Sequence, residues 1–121
     1  MSNFALATIA WIGLALHLVV GALAIRTVES RPLVPAVNLV IAACVLAYWI
    51  PRWYGYLFRG ITWYVTDQLF PLYAIFVCVL AGGTLASRYS AVTLNWLVFT
   101  FHAVVFVGAV LFVTFFRMKL F

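Results

Sequence analysis

His17 and His102 are the residues in this chain best equipped for chemistry, and each interrupts a long apolar run. An imidazole nitrogen can ligate a haem iron, pass a proton near neutral pH or hold a quinone oxygen. At membrane depth such a ring is costly and normally has a partner. Helical rise puts His17 roughly 12 Å from the nearer end of its apolar run and His102 roughly 13 Å from the matching end of its own. The two rings therefore share a depth. Gly13, His17 and Gly21 are spaced by four, so they line one helix face, which Ala10 and Ala24 extend. Such a face admits a second helix backbone or a flat ligand such as a haem ring. The face of His102 carries Asn95, Val98, Phe99, Val105 and Ala109, and Phe99 with Val105 crowds that ring for a porphyrin. The simplest expectation is a hydrogen bond from each histidine to a neighbouring helix. A b-type haem held by the pair, or proton or quinone chemistry at that depth, are the alternatives.

Other reactive groupings are sparse. Hydrolysis asks for a nucleophile with its base, a metal with three ligands, or paired carboxylates. The chain has two acids, Glu29 and Asp67; the first reads as a solvated loop partner of Arg26 or Arg31. Asp67, with Thr66, reads as a helix start. No HExxH, GxSxG or phosphate-binding glycine loop is present, so catalysis by this chain alone is not expected. Cys44 and Cys78 sit mid-run, without a CxxC or CxxCH, and read as small packing residues rather than a disulfide or a haem attachment. Asn38 is placed to bond across to a neighbouring helix, and Thr84 and Thr100 to bond back to their own carbonyls.

The elements that hold these groups follow from composition. Of 121 residues, 69% are hydrophobic and 7% charged, and the mean hydropathy is +1.22. A soluble domain carries about a quarter charged residues, so lipid has to be the solvent for most of this surface. The runs are apolar all round with no alternation, which selects helices over a transmembrane barrel. The expected fold is an all-α integral membrane protein: a single domain over 1–121, a four-transmembrane-helix bundle with spans at about 4–25, 33–50, 68–87 and 93–116. Pro32 and Pro35 suit the opening of the second span, and Pro51-Arg52 is expected to close it. The stretch from Arg52 to Thr66 holds Trp53, Tyr54, Tyr56, Trp63 and Tyr64 beside Arg52 and Arg59. It is expected to form a short aromatic interfacial segment between helices 2 and 3, an anchoring belt or docking surface. The start Met1-Ser2-Asn3 lacks a basic region, so the first run reads as a span rather than a cleavable leader.

All seven basic residues lie at or near run ends, where they anchor to headgroups; no stripe exists to track nucleic acid. Arg52, Arg59, Arg117 and Lys119 fall on the side of the termini, against Arg26, Arg31 and Arg88 on the other. The positive-inside rule then puts both termini in the cytoplasm, in a bacterial inner membrane, with a bias small enough to leave dual insertion open. The function expected is that of a non-catalytic subunit or accessory protein of a larger membrane complex. Its partners would be the lipid bilayer and other membrane subunits or copies of itself, with Gly13, Gly21, Trp53, Tyr56, Trp63 and Tyr64 as contact residues. A redox anchor with haem b or quinone near His17 and His102 is one alternative. A small oligomeric transporter or channel is the other; no acid lies in the first span, so ion coupling there would fall to the histidines.

Overall fold

The computed structural model describes residues 3–59, 65–87 and 92–115, and all regular structure among them is helical. In chain order these are α1 (Asn3–Arg26), a single 3-10 turn (Val28–Ser30), α2 (Leu33–Arg59), α3 (Val65–Ser87) and α4 (Val92–Thr114). Among the described residues, four stretches are long and apolar enough to cross a bilayer: Phe4–Arg26, Val28–Gly55, Gln68–Ala86 and Val92–Thr114. The protein is an all-α integral membrane protein whose apolar helices face lipid. Backbone groups in hydrocarbon must be satisfied within their own segment, and these helices do that.

α1 stops where Thr27 folds back. Both its backbone N–H and its hydroxyl donate to the Leu23 carbonyl, at 2.9 and 3.0 Å. The Arg31 N–H then closes the turn on the Val28 carbonyl at 3.2 Å, and the Val34 N–H bonds the Arg31 carbonyl at 3.2 Å. Carbonyls that a helix end leaves open are thus taken up locally, and Arg26 in the last turn of α1 complements its dipole.

α2 differs from its expected boundary. It does not end at Ile50 but runs through Pro51 to Arg59, so residues 52–59 of the expected interfacial segment are its last two turns. Residues 60–64, with Trp63 and Tyr64, lie outside the described residues. Proline removes one N–H donor and crowds the carbonyl four residues back. The residue four back, Ala47, is exposed, so its carbonyl is open to water or headgroups at a membrane boundary, where the loss costs least. Its 27 residues span about 40 Å, more than the roughly 30 Å hydrocarbon thickness. The excess carries Arg52, Trp53 and Tyr54, the residue types that favour the headgroup layer.

The described chain divides into two compact units. One combines residues 1–34 with 96–121, and the other comprises 35–95. In the first, α1 buries Ala10, Gly13, His17, Val20 and Ala24 on one stripe, while Trp11, Ile12, Leu18 and Val19 are exposed. Its neighbour in that unit is α4: Gly13 meets Phe106 and Gly21 meets Phe99, so the two helices run antiparallel. In the second unit the buried stripe of α2 is Val37, Asn38 and Ala42, and that of α3 is Ala74, Val77 and Ala81. Trp49 of α2 stacks on Phe70 of α3 with ring centres 6.0 Å apart and planes 11° from parallel.

Candidate functional site

The buried polar side chains among the described residues are His17, Asn38, Asn95 and His102. They fall into two groups, one in each unit.

The histidine group is built by α1 and α4. His17 is 2% exposed and His102 6%, and their ring centres lie 6.4 Å apart with planes 82° from parallel. The shared depth expected from the spacing therefore becomes actual proximity. The hydrogen-bonding differs from expectation. Nδ1 of His17 lies 2.7 Å from the Gly13 carbonyl of its own helix, not from a neighbouring one. A histidine ring turned toward the helix N-terminus reaches the carbonyl four residues back, as these side chains prefer. A carbonyl only accepts, so Nδ1 carries the proton and the neutral ring keeps its lone pair on Nε2. That Nε2 is buried with no hydrogen-bond partner among the described residues.

Aromatic rings fill the rest of the surroundings. Phe99 and Phe106 sit with their centres 4.7 and 5.2 Å from that of His17, both tilted. Phe99 lies over Gly21, where an added Cβ would come within 3.5 Å of it, an ordinary contact. Phe106 lies so closely over Gly13 that any Cβ there would overlap its ring. Gly13 and Gly21, expected to admit a partner helix or a flat ligand, thus receive two side chains of the same protein. The space proposed for a haem ring is occupied by phenylalanine. Val105, expected to crowd His102, is 51% exposed; the ring that shapes the site is Phe106. Its position was legible as the residue one turn beyond His102 and seven beyond Phe99, on the same face.

The asparagine group ties α2, α3 and the first turn of α4. Nδ2 of Asn38 donates to the Asn95 carbonyl at 2.9 Å, the cross-helix bond expected of it. Nδ2 of Asn95 donates to the Thr84 hydroxyl at 3.0 Å. That hydroxyl donates in turn to the Leu80 carbonyl of its own helix at 2.8 Å. The spacing alone had assigned Asn95 to the histidine face and missed this role.

At the end of α2, Nη2 of Arg52 donates to the Tyr48 hydroxyl at 2.8 Å. Its guanidinium lies 4.9 Å from the Tyr48 ring centre and 5.2 Å from that of Trp49. Trp53 is half-buried, and its Nε1 has no hydrogen-bond partner among the described residues. Tyr56 belongs to the same helix, and its side chain lies outside the described residues. Cys44 and Cys78 are free thiols. No cluster of three or more His, Cys, Asp or Glu side chains occurs among the described residues.

These features define a class, a small polytopic membrane protein with an intramembrane histidine pair. The chain matches no protein-family model, no curated protein sequence and no solved structure.

Proposed function

We propose that this protein is a non-catalytic subunit or accessory protein of a larger membrane assembly. The reading includes a bacterial inner-membrane location with both termini cytoplasmic. The observation that carries it is how differently the glycines are used. Gly13 and Gly21 are covered by rings of the same unit, whereas a Cβ added at Gly82 of α3 or at Gly108 of α4 would meet nothing within 4 Å. Glycine is a poor helix residue, costing about 1 kcal/mol relative to alanine. In a bilayer it earns its place by letting another helix backbone come close. Gly82 and Gly108 support a partner helix from another chain, either a second copy or a different subunit. The Arg52–Tyr48–Trp49 cluster supports anchoring of this subunit at the headgroup layer.

Native mass spectrometry after gentle extraction in lipid nanodiscs tests the reading. A defined homo- or hetero-oligomer is expected, and Gly82→Ile or Gly108→Ile should release it to the single chain. A wild-type protein that stays a single chain at all protein-to-lipid ratios would remove the subunit reading. The haem alternative has less support, because Phe99 and Phe106 already cover the glycines beside His17.

A further inference from the structure

We infer that His17 and His102 form a two-coordinate site for a monovalent soft metal cation, Cu(I) or its analogue Ag(I). The inference is independent of the subunit reading and rests on four features of the first unit.

The first is a prepared donor. The Gly13 carbonyl holds the proton of His17 on Nδ1, at 2.7 Å, and so fixes the tautomer whose Nε2 lone pair is open. Metal-binding histidines are commonly held this way, with the far nitrogen bonded to a backbone carbonyl that orients the ring and raises its basicity. This Nε2 is buried and has no hydrogen-bond partner among the described residues, although burying a polar atom without one is unfavourable.

The second is spacing. A metal–nitrogen bond of about 2.0 Å on each side puts the centres of two imidazoles sharing one ion in a line about 6 Å apart. The rings of His17 and His102 are centred 6.4 Å apart. Their near-perpendicular planes are compatible with this, because rotation about a nitrogen–metal–nitrogen line is free.

The third is the donor count. No third His, Cys, Asp or Glu side chain joins the pair among the described residues. Zinc asks for three or four protein donors, and calcium and magnesium for a shell of oxygens. Two neutral imidazoles suit a filled-shell monovalent ion, which accepts two nitrogens in a line and adds one positive charge to the site rather than two.

The fourth is the enclosure. Phe99 and Phe106 pack against His17 with ring centres at 4.7 and 5.2 Å, so these two neighbours of the ring offer an ion no oxygen or nitrogen ligand. Gly13 is what lets Phe106 come so close. No redox step is part of the inference; the ion binds in the reduced state in which it is supplied.

The test uses the full-length protein in nanodiscs, with Ag(I) as the redox-inert probe and Cu(I) supplied under a reductant with a competing chelator. One ion per chain is expected, with X-ray absorption showing two nitrogen neighbours at about 2 Å. Nitrogen-15 spectra should show the His17 Nε2 resonance shift on silver binding while Nδ1 keeps its proton. His17→Gln and His102→Gln should each lower affinity by about 100-fold or more, since even removal of a supporting hydrogen bond costs about 10–100-fold. Because those variants can also fail to fold, the wild-type spectra decide independently. Three results would each overturn the site: no silver uptake by wild type, three or more light-atom neighbours around the ion, or unchanged affinity in both folded variants. A metal-free protein whose two rings share a proton and exclude silver would assign the pair to proton binding instead.

Discussion

At the scale of single residues, the two helix-facing glycines of α1 make opposite demands. A Cβ on Gly13 would overlap the Phe106 ring, whereas one on Gly21 would meet Phe99 at ordinary contact distance. Gly13→Ala should therefore destabilise the protein by about 1–3 kcal/mol, the usual cost of overpacking. Gly21→Ala should be neutral or slightly stabilising, since alanine is the better helix former. Steric-trapping measurements of unfolding in bicelles would read both, and Gly13→Ala combined with Phe106→Leu should recover part of the loss. Equal effects of the two alanine substitutions would contradict the packing. Asn38, fully buried, offers a second residue-scale check through its bond to the Asn95 carbonyl. Replacing it with leucine should cost about 0.5–2 kcal/mol, the range for a hydrogen bond between membrane helices. Asn38→Asp should cost more, because it removes the donor and sets a buried carboxylate against a carbonyl. If the aspartate variant is as stable as the leucine one, the bond direction is wrong.

At the scale of elements, the instructive case is α2. Pro51 and Arg52 read as a stop in the chain, yet the helix carries on to Arg59. A proline costs a helix one hydrogen bond and a steric contact, and the cost is tolerable where the opened carbonyl meets water or headgroups. The resulting helix places Arg52 one turn beyond Tyr48, which lets the guanidinium bond the hydroxyl and lie over both Tyr48 and Trp49. Spin labels at Ala47 and Phe58, in a background lacking Cys44 and Cys78, should report a backbone separation of about 16 Å, the rise of eleven helical residues. A clearly shorter distance would mean that the chain bends at Pro51 and lies along the membrane surface.

For the whole molecule, the proposed topology has both termini in the cytoplasm, argued from four membrane-length helices and the weak excess of basic residues on one side. Reporter fusions at Ser30, Gly60 and Tyr89 should read outside, inside and outside in turn. A cytoplasmic signal at Ser30 would reverse the orientation, and equal signals on both sides would establish dual insertion, the arrangement that suits a paired transporter better than a subunit.

The number of helices, their solvent and their approximate ends were set by local quantities that a linear chain carries: apolar run length, flanking charge and proline at helix starts. So was the shared depth of His17 and His102, because helical rise is uniform. Three things waited on the tertiary structure. The first is the continuation of α2 past Pro51, which proline's own helix propensity does not give. The second is the Asn38–Asn95–Thr84 chain of bonds, since the helix face of Asn95 says nothing about which neighbour arrives there. The third is the histidine site itself. Spacing gave His17 a glycine-lined face but not its occupant, and only the packing of α4 on α1 put phenylalanine rings over those glycines. Local periodicity fixes which residues share a face; which face meets which depends on side-chain shape across helices far apart in sequence.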